Sequence, residues 1–354
     1  MTHKTILVTG GAGFIGSNFV LDWTKKSMGK VINLDLLTYA GNVNNLESLS
    51  NNSDHILIQG DIADEKIVSS LLKEHKPSAI INFAAESHVD RSIVDANRFI
   101  HTNIIGTYNL LTVAKDYWYH LDENKKKAFR FLHISTDEVY GSLEEKSPAF
   151  TEDSRYLPNS PYSASKASSD HLARAWFHTY KFPTIIINCS NNYGPYQFPE
   201  KLIPLTITHA LAGKNLPIYG DGQNVRDWLF VTDHCSAIRK VLKNGSPGEN
   251  YNIGGNNEKT NLEVVNIICS LLDKISPPIE HNLKNPQNGK KLVSYTELIS
   301  FVKDREGHDK RYAINSSKIQ TKLNWLPKES FETGIAKTVK WYVENQEWVK
   351  KLNG

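Results

Sequence analysis

The stretch TILVTGGAGFIGSNF, residues 5–19, constrains this chain more than any other. A short β-rich run from Thr5 to Gly10 meets a cluster of glycines, and an apolar helical pattern follows from Phe14 to about Lys26. Gly11, Gly13 and Gly16 fit the spacing G-x-G-x-x-G, while Gly10, Gly13 and Gly16 fit a G-x-x-G-x-x-G variant. The chemistry is the same in either register. Glycine permits the tight turn, its missing side chain lets backbone N–H groups reach a pyrophosphate, and the helix turns its positive end toward the phosphates. A glycine triplet alone is often just a turn. Set between a strand and a helix within a βαβ unit, it points to dinucleotide binding.

Further strand-like runs follow: KVINLD (30–35), HILIQGD (55–61), SAIINFAA (78–85), FRFLHIS (129–135) and PTIIINCS (183–190). Helical patterns near 64–75, 97–118 and 161–180 separate them. Apolar β-branched runs alternating with helices predict an α/β chain with a Rossmann-type, doubly wound parallel sheet covered on both faces. After about residue 190 the pattern loosens. NNYGPYQFPEKLIP and YGDGQNVRDW read as long loops among helical stretches near 201–212, 261–273 and 331–346. We expect residues 1–190 to form the dinucleotide-binding domain, with strands returning to it from RDWLFVTD (226–233) and ENYNIGG (249–255). Residues 191–225 and 256–354 then make a smaller C-terminal, substrate-binding lobe that closes over the ligand.

Composition excludes several classes. Lys plus Arg number 41 against 38 acidic residues, and the densest basic run, Lys125–Lys127, has no aromatic platform, so it reads as a solvated loop and not a nucleic-acid patch. Cys189, Cys235 and Cys269 lie far apart without metal-ligand spacing, which argues against a zinc site or a disulfide framework and fits a reducing cytoplasm. Met1–Lys4 leads straight into a strand, leaving no room for a signal peptide, and no apolar run reaches the roughly 18 residues a membrane span needs. A soluble cytoplasmic protein without a metal is expected.

Asp35 closes the second strand, 19 residues after Gly16, where a carboxylate can hydrogen-bond an adenosine ribose. It would repel a 2′-phosphate, so NAD is favoured over NADP. Asp61, ending the third strand, is placed to neighbour the adenine. Tyr162 and Lys166 stand four residues apart in a helical stretch, on one face. A free phenol has a pKa of about 10, and a cation beside it favours phenolate, which would let Tyr162 act as a base. A surface pair is the plain alternative. Its place one strand-to-helix step beyond HISTDEVYGS, residues 133–142, favours catalysis. That stretch sets Asp137 and Glu138 side by side where an apolar strand opens into a loop. They are either turn and cap residues or an acid and a base.

With these motifs in order, the chain resembles the extended short-chain dehydrogenase/reductase family over its whole length. Thr136-Asp137-Glu138, NCSNNYGPYQFPEKLIPL and FVKDREGHDKRYAI resemble its nucleotide-sugar 4,6-dehydratases. The resemblance implies a redox-neutral, NAD-dependent hydro-lyase that acts on dTDP-glucose and feeds deoxysugar (dTDP-rhamnose precursor) biosynthesis. Its catalytic set is Thr136, Asp137, Glu138, Tyr162 and Lys166. Thr136 bonds O4, Tyr162 takes the O4 proton, Lys166 stabilises phenolate, Glu138 removes the C5 proton, and protonated Asp137 donates to the departing C6 hydroxyl. Around the cofactor it implies Gly10, Gly13, Phe14, Ile15, Gly16, Asp35, Thr38, Asp61 and Ile62, then Ala84, Ser87, Thr102, Tyr162 and Lys166. Around the substrate it implies Ser87, His88, Asp90, Thr136, Asn191, Glu200, Lys201 and Leu202. Pro217, Tyr219 (near the base), Asn261 and His308 follow, with Arg226 and Arg305 as guanidinium forks for the diphosphate.

It also implies a homodimer through a four-helix bundle built from helices 97–118 and 161–180. Many relatives continue past the Trp348-Val349 region, and the stop at Gly354 puts any nucleotide or dimer contact from such a tail in question. Three alternatives stay open: a nucleotide-sugar 4-epimerase, which lacks the acidic pair; a non-catalytic dinucleotide sensor; and the same dehydration on UDP- or CDP-glucose.

Overall fold

The computed structural model describes residues 5–352; the expectations placed on Met1–Lys4 and on the chain's end lie outside them. The strands of the first half are β1 (Thr5–Thr9), β2 (Lys30–Asp35), β3 (His55–Gln59), β4 (Ala79–Asn82), β5 (Arg130–Thr136) and β6 (Thr184–Cys189). The second half adds β7 (Asn191–Tyr193), β8 (Leu216–Tyr219), β9 (Val225–Phe230), β10 (Asn250–Ile253), β11 (Glu258–Thr260) and β12 (Ile299–Val302). Seven strands form a parallel sheet in the order β10-β6-β5-β4-β1-β2-β3. The chain reverses direction across the sheet between β1 and β4, and such a switch point leaves a crevice at the strands' C-terminal ends.

The apolar runs alternate across this sheet. Ile6, Val8, Leu132, Ile134, Ile185 and Ile187 enter the core on one face. Leu7, Phe131 and Ile186 enter the core on the other. Burial on both faces is why these strands read as continuous hydrophobic runs. The helix Pro161–Tyr180 starts where the sequence predicts. Ser160 accepts from Ser163 N at 3.1 Å, Ser163 Oγ accepts from Ser160 N at 3.0 Å, and Pro161 occupies the first turn. Such a cap is worth about 1 kcal/mol.

Two expectations are corrected. Of the two segments expected to return, Asn250–Ile253 does so beside β6. Val225–Phe230 does not: it is the centre of a separate three-stranded sheet, β11-β9-β7, and residues from Val231 onward are helical. The helix Val231–Asn244 instead packs on the first core through Cys235, Ile238 and Val241, as do Ile319, Leu323 and Trp325. The expected helix near 97–118 is not uniform either. Residues Ile100–Gly106 are π-helical and Thr107–Tyr119 α-helical. A second core, containing Tyr193, Ile207, Trp228, Val265, Phe331 and Val339, holds the C-terminal lobe together.

Candidate active site

One cavity runs along the C-terminal ends of β1, β4, β5 and β6, bounded by residues 10–16, 83–87, 134–138 and 189–192. The glycine turn shows which glycines the fold itself requires. Gly10 sits at φ +69°, and a Cβ there would lie 2.6 Å from the Ala84 nitrogen. At Gly16 a Cβ would lie 2.2 Å from the Gly10 oxygen. At Gly13, with an ordinary φ of −73°, the nearest atom would be 3.4 Å away. The missing side chain at Gly13 thus opens the cavity and relieves no clash. The helix Phe14–Lys25 begins there without a side-chain cap or an acidic residue in its first turn. Phe14, Ile15 and Gly16 line the cavity, so unclaimed N–H groups face it, a cradle suited to a pyrophosphate.

Asp35 also lines the cavity, its oxygens accepting from Ala12 N and Leu37 N at 2.8 Å each. Burial raises its pKa, against those two bonds. Thr38, Ala84, Ser87 and Thr102 line the same space. Asp61 and Ile62 stand outside this lining. Asp61 accepts from Ala63 N at 2.8 Å and lies 3.2 Å from His101 Nε2, and Ile62 is buried against Gly106.

The acidic turn is built differently. Thr136 ends β5, and its hydroxyl accepts from Glu138 N at 3.3 Å, capping the one-turn helix Asp137–Tyr140. The cap is therefore Thr136, which leaves both acids free of that duty. Asp137 is 1% exposed, and its Oδ2 is buried without a hydrogen-bond partner. Burial, then the charges on Glu138 and Asp227, push its carboxyl well above the usual range, against Arg226. Glu138 is only partly buried, and burial raises it too. Around Glu138, however, the next largest influences are Lys201, Arg305 and Arg226, all pulling it down. Two adjacent carboxyls thus sit in opposite fields: anions favour the neutral form of Asp137, and cations favour the charged form of Glu138.

Tyr162 and Lys166 are buried in the same cavity. Burial and then Glu138 push the phenol well above its usual pKa, while the Thr136 hydroxyl opposes them. Lys166 Nζ donates to the Ile134 carbonyl at 2.7 Å, against the end of β5.

The C-terminal lobe supplies the opposite wall. Asn191, Glu200 and Lys201 line the cavity. Lys201 Nζ donates to the Ser87 carbonyl at 2.9 Å, and Glu200 pairs with Arg91 at 3.2 Å and lies 3.6 Å from His88. Arg305 and Tyr219 both reach Asp90, each at 3.4 Å. His308 pairs with Asp304 at 2.6 Å, its ring 6.2 Å from that of Tyr219. Arg226 is buried with its guanidinium over Tyr312, donating to the carbonyls of Val225 at 2.8 Å and Asp309 at 3.0 Å. Leu202 and Asn261 open the helices Leu202–Leu211 and Asn261–Ile275, and Pro217 lies in β8; none of the three lines the cavity, and His88, Asp90, Tyr219, Arg226, Arg305 and His308 also lie outside its lining.

Sequence reasoning passed over Glu86 and Cys189. Glu86 follows β4 as the acidic pair follows β5, and Cys189 is the register partner of Thr136. The topological position after each strand was the signal that could have found them. Asn103, in the π-helical turn, bonds both Glu86 N (2.9 Å) and Glu86 O (3.0 Å), and donates to Ser165 Oγ at 2.8 Å. π-helical turns of this kind are frequent at functional sites. Among the described residues no cluster of three or more His, Cys, Asp or Glu could hold a metal, and no helix is long and apolar enough to cross a membrane.

Residues 7–338 match the family model described as GDP-mannose 4,6 dehydratase. The chain is 58% identical over 346 residues to the dTDP-glucose 4,6-dehydratase of Xanthomonas campestris pv. campestris strain B100, covering 98% of this chain and 95% of the relative. It is similar in structure to the dTDP-glucose 4,6-dehydratase of Bacillus anthracis solved in complex with NAD (TM-score 0.84, 48% identity, 98% and 99% of the two chains). A dTDP-glucose 4,6-dehydratase of Streptomyces venezuelae, also solved with NAD bound, gives a TM-score of 0.85 at 45% identity, with 98% and 99% coverage. The chain belongs to the GDP-mannose 4,6-dehydratase family and, within it, to the dTDP-glucose 4,6-dehydratases.

Proposed function

We propose that this protein dehydrates dTDP-glucose to dTDP-4-keto-6-deoxyglucose, a hydro-lyase reaction that runs on NAD and supplies a deoxysugar precursor. The observation that carries this reading is the split between Asp137 and Glu138. A C5 hydrogen becomes acidic only when C4 is a ketone, and elimination then needs one group to take a proton while another gives one. Burial raises both carboxyls, but the charges around them act in opposite senses, anions on Asp137 and cations on Glu138, and such a contrast suits that division. Glu138, among Lys201, Arg305 and Arg226, takes the C5 proton. Asp137, kept neutral, gives its proton to the C6 hydroxyl, which leaves as water.

The glycine turn and Asp35 would hold NAD, the phosphates over Gly13 and the helix start, the ribose at Asp35. When bound, NAD supplies the two-electron oxidation at C4 and returns the same electrons at C6. Tyr162 accepts the O4 proton, and Thr136 hydrogen-bonds O4. Burial and Glu138 hold the Tyr162 phenol high, so its base form needs a cation, and Lys166, one turn along the same helix and lining the same cavity, is the residue assigned that role. Lys201 and Arg305 face the diphosphate side, with Tyr219 and His308 toward the base. Arg226 places a field on both carboxyls, while its Nη1 and Nη2 also donate to the carbonyls of Val225, Lys310 and Asp309.

We read the sheet with its returning strand as the NAD domain and the second core as the substrate lobe. The Lys201–Ser87 and Arg305–Asp90 contacts support a lobe that closes on the first. Exposed Ile100, Ile105 and Tyr108 on the helices near 97–119 support a homodimer through a four-helix bundle, which light scattering tests: a monomer overturns it. Three free, buried thiols fit a cytoplasmic location. The reaction itself is tested by incubation with dTDP-, UDP- and CDP-glucose without added reductant. A 4-keto-6-deoxy product from dTDP-glucose supports the reading, and a C4 epimer overturns it.

A further inference from the structure

The helix Pro161–Tyr180 carries a third ionisable residue on the face of Tyr162 and Lys166. Asp170 lies one further turn along and is 1% exposed. The helix follows β5 closely: Lys166 Nζ meets the Ile134 carbonyl, and Asp170 Oδ2 accepts from Ser135 Oγ at 2.8 Å. The same oxygen accepts from Tyr156 OH at 3.0 Å and Asn188 Nδ2 at 3.2 Å. Oδ1 faces His133 Nε2 at 3.4 Å without a hydrogen bond of good geometry.

Burying a carboxylate costs several kcal/mol unless a cation compensates. Every donor on Oδ2 is neutral. His133 Nδ1 accepts from Asn82 Nδ2 at 3.2 Å, the Asn82 oxygen being taken by Thr9, so the ring is the neutral form; burial and then Lys166 favour that form, against Asp170. From the other packed elements, β6 contributes Cys189, the acidic turn Asp137 and Tyr140, and residues 150–156 contribute Glu152 and Tyr156, none of them cationic. On β1, β4 and β10 the neighbouring polar groups of this network, Thr9, Asn82 and Asn252, are neutral. Lys166 is the cation of this cluster, not in a direct ion pair with Asp170 but one helical turn away, its Nζ on the Ile134 carbonyl next to the Ser135 that holds the carboxylate.

We propose that Asp170 is a positioning residue for the reaction: a buried counter-charge that keeps Lys166 an ammonium beside Tyr162, with Ser135, Tyr156 and Asn188 fixing the carboxylate in place. The role rests on the function proposed above, in which Lys166 makes the Tyr162 base available. Burial drives Lys166 down, and Asp170 is the first of the groups that oppose it. Neither Asp170 nor Lys166 is among the main influences on the Tyr162 phenol, so the link to it is positional: Lys166 stands one turn along the same helix and lines the same cavity.

Heteronuclear NMR of the full chain labelled at lysine, with the Lys166 signal assigned by its loss in Lys166→Met, tests this without substrate. Asp170→Asn should move the Lys166 titration down by about one pH unit or more, the usual effect of removing a close opposite charge. An unmoved titration overturns the proposal. Where Asp170→Asn alone is too unstable to label, thermal melts of Lys166→Met and Lys166→Met/Asp170→Asn decide. Lys166→Met strands the carboxylate, so the double variant should melt higher than the single. If it melts lower, the two groups are not coupled and the proposal falls. Neither readout involves dTDP-glucose, so failure of wild-type turnover on that sugar would sink the function and leave these results separately readable.

Discussion

The two turns that line the cavity at the sheet edge are built on opposite principles. After β1 the chain makes its site from missing side chains: Gly10 and Gly16 leave no space for a Cβ, and Gly13 leaves an opening. After β5 it makes its site from buried charge: Asp137 is almost wholly enclosed, and Glu138 stands among cations. The first turn is fixed by sterics, so disturbing it disturbs the fold. The second is fixed by electrostatics, so disturbing it disturbs the chemistry. The fold sets both at the same sheet edge, yet they fail in different ways.

The largest effect should come from the first turn. Gly16→Ala sets a methyl against backbone at Gly10 and Gly11, neither of which can move aside. We expect a loss of about 3 kcal/mol or more, read as a lowered denaturant midpoint, together with loss of bound NAD. A variant as stable as wild type would break the steric half of the comparison. Next come Asp137→Asn and Glu138→Gln. Each should lower formation of the 4-keto-6-deoxy product by about 10² to 10⁴ while dTDP-glucose still reduces the bound nicotinamide, followed by absorbance. Full turnover in both variants would contradict the assignment.

Gly13→Ala sharpens the contrast within one motif. With room for its Cβ, it should change stability by less than about 1 kcal/mol and still weaken NAD retention, seen as cofactor lost on gel filtration. The smallest effect concerns stability alone. The folded chain holds the Asp137 proton to a higher pH than the unfolded chain, whose value is near 3.8. Stability from this group is therefore fully present below about pH 4 and is lost progressively as pH rises toward the folded value. Asp137→Asn removes that loss. It should melt above wild type at neutral pH, with the difference closing below about pH 4.

The same contrast decides what the sequence could show. The glycine turn, Asp35, the strands from β1 to β6 and the Tyr162–Lys166 helix were legible because each follows from local pattern: glycine spacing, apolar period, a Pro161 start. The acidic pair was visible as two residues, but its division of labour was not. That division depends on Arg226 and Asp227 of β9 and on Lys201 and Arg305, all distant from the pair in sequence. Val225–Phe230 was read as a returning strand because β-branched and aromatic content marks a strand without naming its sheet. Asp170 was also in plain view, four residues beyond Lys166, yet nothing in a sequence shows that a carboxylate is buried.

The central claim is that Glu138 is the base and Asp137 the acid of one elimination. It is tested most directly by incubating both variants with dTDP-glucose in deuterium oxide and reading deuterium at C5 of the recovered sugar. The account predicts C5 exchange without water loss in Asp137→Asn, and neither exchange nor water loss in Glu138→Gln. Exchange at C5 in Glu138→Gln, at the rate seen in Asp137→Asn, would contradict it.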